Sequence, residues 1–133
     1  TLIDQKNQVN RYDHLLDAKF GKNDGLDWVL MGVGADGHIA SIFPNDSTGI
    51  ETNHHVFLSY HPVTSQSRIS MSMNFLLRSK HICNLITGEE KEVILDRLIL
   101  GSDNKNIVLP VEYLLKHAQD HLILTDIKAK GNG

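Results

Sequence analysis

Cysteine is nearly absent: Cys83 is the single one in 133 residues, which excludes an internal disulfide framework and any Cys-x-x-Cys metal or redox motif. A reducing, cytoplasmic setting fits that usage. No apolar run approaches the ~20 residues that cross a bilayer, and the opening TLIDQKNQVN lacks the basic start and apolar middle of a signal peptide. No membrane partner is expected. An excess of positive charge is missing too: thirteen Lys and Arg against sixteen Asp and Glu leave a formal net charge of -3. That argues against a broad grip on nucleic acid, and any anion must be met by a small local site. Gly-x-Ser-x-Gly is absent, so Ser41 is not read as a nucleophile.

What is present is an ordinary globular mixture, 41% apolar and 22% charged, long enough for one core and too short for two domains of typical size. Residues 1–133 are therefore read as one domain. Val9, Tyr12, Leu16 and Phe20 share a helical face over 4–20, and Gly21 supplies the stop. LDWVLM at 26–31 reads as a buried strand, and HVFLSY at 55–60 as another. RISMSM at 68–73 alternates strictly, with Ile69, Met71 and Met73 assigned to the buried side and Ser70 and Ser72 to the other. That strand belongs near a sheet margin.

HICNLI at 81–86 predicts a strand, and Thr87 to Glu90 fits a capping box before a helix carrying Ile94, Leu95, Leu98 and Ile99, closed by Gly101. Pro110 opens a further helix with Val111, Leu114, Leu115 and Ala118 on one face, and HLILT at 121–125 returns as a strand. Residues 128–133 read as a frayed tail. Alternating helices and apolar strands predict an α/β fold: an open, largely parallel sheet with helices on its faces, a partial Rossmann-like three-layer sandwich. The chain opens without Met and reads as helix almost at once, so a longer parent is expected.

The segment richest in chemistry is Gly32-Val33-Gly34-Ala35-Asp36-Gly37-His38-Ile39-Ala40-Ser41-Ile42-Phe43-Pro44, directly after the strand 26–31. Its glycines fit Gly-x-Gly-x-x-Gly, but a dinucleotide turn needs a long following helix, and Pro44 leaves room for about two turns. What remains is a glycine loop holding Asp36 and His38 at the carboxyl end of a strand, where open α/β sheets place ligands. Gly34 and Gly37 can turn sharply and present backbone N–H groups to an oxyanion. An imidazole titrates near ~6.5, so His38 can take a proton from water and return it to a leaving oxygen, with Asp36 orienting the ring. The blander reading is an Asx turn beside a surface histidine. His38, His54, His55 and His61 together raise a metal reading, but they lack the i, i+4 zinc-helix spacing and a cysteine partner, so neither a metal nor an organic cofactor is expected.

Gly-x-Gly-x-Asp-Gly-His resembles the signature of the 6-phosphogluconolactonases and glucosamine-6-phosphate isomerases/deaminases, and Ala40-Ser41-Ile42-Phe43-Pro44 looks like the lactonase continuation. By the same resemblance, isomerases carry a catalytic Glu where this chain has Phe43. Arg68-Ile69-Ser70 is similar to the family's Arg-Ile-Thr strand opening, and Thr87-Gly88-Glu89-Glu90-Lys91 to its strand-to-helix turn, whose Lys binds the sugar phosphate.

The resemblance implies hydrolysis of 6-phosphoglucono-δ-lactone to 6-phosphogluconate in the pentose phosphate pathway, with His38 and Asp36 catalytic and Arg68, Lys91, Gly34, Gly37 and Gly88 binding the phosphorylated sugar lactone. It also makes this chain the C-terminal portion of a longer family domain, because the upstream glycine-rich phosphate loop is not found. The alternatives are a glucosamine-6-phosphate isomerase or deaminase and a noncatalytic sugar-phosphate-binding module. An uncovered sheet edge would favour self-association. Geometry sets a condition: the loops after 26–31 and 81–86 share a site only if those strands are parallel.

Overall fold

The computed structural model describes residues 1–128, so all but the first residue of the expected tail lies outside the described residues. In chain order the elements are α1 (Leu2–Phe20), β1 (Trp28–Gly32), α2 (Thr48–Glu51), β2 (Val56–Tyr60), β3 (Ser67–Met71), α3 (Met73–Leu77), β4 (His81–Ile86), α4 (Glu92–Leu100), α5 (Pro110–His117) and β5 (His121–Thr125). A single turn of 3-10 helix, Glu89–Lys91, leads into α4. The fold is mixed α/β. Strands β1, β4 and β5 form a parallel sheet in that order, with Gly32 opposite Leu85 and Leu85 opposite Leu124.

The core lies on one face of this sheet. Met31, Ile82 and Ile86 pack there against Ile94 and Leu95 of α4 and Val111 and Leu114 of α5, joined by Val33, Ile39 and Ile42 from the glycine loop. Ile99, expected on the buried face of α4, is 51% exposed. Leu16 is the buried residue of α1; Val9 and Phe20 pack beside it against Val56 and Phe75, while Tyr12 remains exposed.

Strands β2 and β3 form a separate antiparallel ribbon, Ser59 opposite Arg68, and not a margin of the main sheet. Its alternation is real but its polarity is inverted: Ser70 is buried and Ile69 exposed. The serines turn inward because they hold backbone. Ser70 Oγ accepts from the Ser41 N–H at 2.9 Å, and Ser59 Oγ donates to the Ser41 carbonyl at 2.6 Å. The expected strand also stops early, since Ser72 Oγ accepts from the Phe75 N–H at 3.2 Å and caps α3. The predicted capping box at Thr87 is likewise replaced: Gly88, at φ 94°, occupies the cap without a side-chain hydrogen bond.

Candidate active site

Because β1 and β4 are parallel, the loops leaving their carboxyl ends meet on one edge of the sheet. Between them lies an open cleft of about 480 Å³, lined by Gly32, Val33, Gly34, His38, Ala40, Leu85, Thr87 and Lys91. The sheet thus brings His38 and Lys91, far apart in sequence, to one hollow.

The loop is tied before any ligand is considered. Gly34 N–H donates to the His38 carbonyl and Gly37 N–H to the Gly34 carbonyl, both at 2.9 Å. The Asp36 carboxylate accepts from the His38 backbone N–H at 3.1 Å, and the same oxygen lies 2.6 Å from His38 Nδ1. A Cβ on Gly34 would stand 2.1 Å from that ring nitrogen. Gly34 is therefore glycine because the Asp36–His38 pair fills its side-chain space. Gly37 takes φ 87° and accepts from the Val111 N–H through its carbonyl at 3.1 Å, which seats the loop on the start of α5. The N–H groups of Gly34 and Gly37, expected to face an oxyanion, both donate inside the loop, and the N–H of Gly88, expected beside the phosphate, donates to Asp126 Oδ1 at 3.0 Å.

Partial burial opposes charge on Asp36, yet the hydrogen bonds from the backbone and ring of His38 outweigh it and hold the carboxyl below its usual value. A carboxylate on Nδ1 fixes the neutral imidazole with its proton there and leaves Nε2 as the acceptor. The His38 side chain keeps 31% exposure, so that nitrogen is neither sealed in the core nor lost to open solvent. Lys91 Nζ donates to the Val33 carbonyl at the mouth of β1. Glu90 folds over Gly88, and Glu89 lines a different hollow with Glu92, Asp126 and Lys128. Neither carboxylate lines the His38 cleft.

Arg68 does not line the cleft either. Its guanidinium lies 6.0 Å from the centre of the Phe43 ring, and the His38 ring lies 4.9 Å from that centre. Phe43, 3% exposed, is the hub that joins them. His61 packs edge-on against the same phenyl at 5.4 Å, with Nδ1 accepting the Val63 and Thr64 N–H groups at 3.2 Å. Sequence reasoning weighed His61 only as a metal ligand; its proximity to Phe43 comes from the β2–β3 turn, which no local signal announces.

No long helix follows the glycine loop, only bridged turns and the four-residue α2, as the Pro44 argument requires. His54 pairs with Asp13 at 2.9 Å, and His55 lies between Asp17 and Arg78. Among the described residues no group of three or more His, Cys, Asp or Glu could hold a metal ion. Cys83 is buried and free.

The family profile described as glucosamine-6-phosphate isomerases/6-phosphogluconolactonase matches residues 2–124. The chain belongs to this family. It is 34% identical over 91 residues to a 6-phosphogluconolactonase of Haemophilus influenzae, covering 68% of this chain and 38% of the relative. The solved 6-phosphogluconolactonase of Trypanosoma brucei superposes with a TM-score of 0.73 at 25% identity, covering 94% of this chain and 52% of that one. A monomeric glucosamine-6-phosphate deaminase shares the fold, with a TM-score of 0.67 at 23% identity over 91% of this chain and 52% of that one. The chain thus spans between a third and two fifths of the first curated relatives it matches. No described helix is long and apolar enough to cross a membrane.

Proposed function

We propose that this chain carries the proton-transfer half of a 6-phosphogluconolactonase site: His38 activates water for attack on the lactone carbonyl of 6-phosphoglucono-δ-lactone. The observation that carries this is the Asp36–His38 pair, 2.6 Å apart, facing a cleft that also holds Lys91. Nε2 takes the proton of the attacking water while Asp36 supports the imidazolium through Nδ1. The tetrahedral intermediate then expels the ring oxygen, which receives that proton from Nε2, giving 6-phosphogluconate. The C–O bond of the ester breaks, one water is consumed, and no electron changes hands.

Lys91 is assigned to the phosphate, and Arg68 to the same anion across Phe43, where a planar guanidinium and a compact ammonium suit a dianion. Gly34 lines the cleft, Gly37 and Gly88 turn the two loops that flank it, and no hydrogen bond to substrate is assigned to any of the three. The domain assignment belongs to the same proposal: residues 1–133 act as the C-terminal portion of a longer family domain, in a reducing, cytoplasmic setting. Phe43 favours hydrolysis over isomerisation, because phenyl cannot shuttle protons between sugar carbons.

The test is the decay of 6-phosphoglucono-δ-lactone above its spontaneous rate. His38→Ala is expected to lower that rate about 10²–10⁴-fold, the range for a positioned acid–base group, with Lys91→Ala raising KM. Unchanged turnover in His38→Ala removes the proposed base. Ammonia release from glucosamine-6-phosphate would favour the deaminase instead, and 6-phosphogluconate binding with lactone decay at its spontaneous rate would leave a binding module.

A further inference from the structure

A strained backbone corner stands on the wall of the cleft. Ile39 and Ile42 face each other across a two-residue turn, the Ile42 N–H donating to the Ile39 carbonyl at 2.8 Å and the Ile39 N–H to the Ile42 carbonyl at 3.4 Å. Ala40 and Ser41 are the two corners of that turn. Ala40 takes φ 48°, in the left-handed region, where glycine is the ordinary residue at the first corner of a tight hairpin turn. A side chain there carries a steric cost that glycine escapes, so the surroundings must hold the shape. Ala40 is exposed and lines the cleft together with His38.

The other corner is clamped from outside the loop. Ser41 is buried, and side chains of the β2–β3 ribbon hold both of its backbone groups: Ser70 Oγ accepts its N–H and Ser59 Oγ donates to its carbonyl. Ser70 gives its own proton to the Met71 carbonyl at 3.0 Å, so that hydroxyl is engaged as donor and as acceptor. Backbone in a sparsely populated conformation persists where its surroundings over-determine it, and such positions gather at functional sites. Here the two hydroxyls and the buried Ile39 and Ile42 are those surroundings. Side chains alternate along a strand, so Arg68 shares the inner face of the ribbon with Ser70 and meets the loop at Phe43, two residues beyond Ser41.

We infer that Ser59 and Ser70 are positioning residues: through the Ser41 backbone they hold Ala40 in its left-handed form beside His38, and they fix the ribbon that brings Arg68 to the same loop. Neither serine lines the cleft, so both act through other groups. The inference deepens the lactonase reading and takes from it only the identity of the working imidazole. A hydroxyl that merely satisfies buried backbone affects stability alone. One that also holds a strained corner sets the shape of the cleft, and its loss is repaired by removing the strain.

Nuclear magnetic resonance of the full 133-residue chain reads both ends of this coupling, through the φ-dependent scalar couplings of Ala40 and the ring resonances of His38. Ser70→Ala should take Ala40 out of positive φ and move the His38 ring signals. Ser59→Ala, which leaves the Ser41 N–H satisfied, repeats the comparison at a smaller cost to folding. Made in an Ala40→Gly background, where the corner is unstrained, either serine variant should leave the His38 signals where that background has them. Unchanged Ala40 couplings and His38 signals in both serine variants overturn the inference, and so do His38 signals that move equally in the two backgrounds. Lactone turnover is read separately: kcat should fall about tenfold or more in Ser70→Ala, on the way to the ~10² that a misplacement of about 1 Å costs. A wild-type chain without turnover counts against the lactonase reading alone, because the couplings and ring signals still decide the role of the serines.

Discussion

At Gly34 a methyl group would have to occupy the space of the His38 ring, 2.1 Å from Nδ1 and 2.6 Å from Asp36 Oδ1. Gly34→Ala should therefore leave the fold in place and push the imidazole off its carboxylate. A displacement of about 1 Å at a reacting group costs on the order of 10² in rate, so kcat should fall at least that far with circular dichroism unchanged; an undiminished kcat would show that the pair is not the working unit. Asp36→Asn separates charge from geometry, because an amide oxygen can still accept from the His38 N–H. The carboxyl of Asp36 is held below its usual value, so its contribution to stability is present above that value and disappears as pH falls through the lowered one. It stays ionised throughout the range in which an imidazole titrates. Asp36→Asn should therefore lower kcat with circular dichroism unchanged, because the neutral amide no longer supports a charge on the His38 ring. An undiminished kcat in Asp36→Asn would contradict this assignment.

Between elements, the glycine loop is braced by a clamp that the sequence does not announce. Arg97 of α4 donates to Glu112 Oε1 of α5 from Nε at 3.0 Å and from Nη2 at 2.7 Å, and the Leu109 N–H donates to the same oxygen at 2.9 Å. Leu109 then packs where a side chain on Gly37 would be, its Cδ1 2.7 Å from that position. Glu112→Gln should cost about 1.5–3 kcal/mol, the range for hydrogen bonds to charged groups, read from urea unfolding. Burial opposes the Glu112 charge, but the Arg97 and Leu109 hydrogen bonds prevail and lower its pKa. The difference between wild type and variant should be full at neutral pH and close as pH falls through the lowered value; a difference that persists in acid would place the effect in packing. Apolar runs and helix periodicity made β1, β4, α4, α5 and β5 legible; β4, α4 and α5 bury apolar residues in one core, whereas the strand expected to be buried at 26–31 buries only Met31 and β5 has no buried residue. The β2–β3 ribbon resisted the same logic at Ser59 and Ser70, which turn inward beside Phe57 to hold the Ser41 backbone, while hydropathy assigns them outward. Asp36 and His38 were readable as a pair because they contact within two residues. The hub at Phe43, which brings Arg68 and His61 beside them, is a tertiary contact without a sequence period.

Across the whole molecule, stability is unevenly distributed, and α1 is lightly held. Of its nineteen residues only Leu16 is buried, in a small cluster with Val56 and Phe75 set apart from the main core. Polar ties do much of the remaining work. Asp13 accepts from the His55 N–H at 2.6 Å and the Val56 N–H at 3.4 Å and pairs with His54 at 2.9 Å, while His55 reaches Asp17 at 3.2 Å. Segments with few buried apolar contacts open at lower free energy than the core. Amide hydrogens of α1 should therefore exchange faster than those of β4 and α5, and Asp13→Ala should widen that gap while the sheet keeps its protection. Partial burial raises the cost of the Asp13 charge, but the His54 ring and the two backbone donors overcome it and lower the pKa. The tie is consequently intact above the usual carboxyl value and released as pH falls through the lowered one, so mild acid should free α1 before the parallel sheet yields. Exchange measured at stepped pH decides the matter: simultaneous loss of protection in α1 and β4 would mean that the chain opens as one unit and that the Asp13 tie does not set the order.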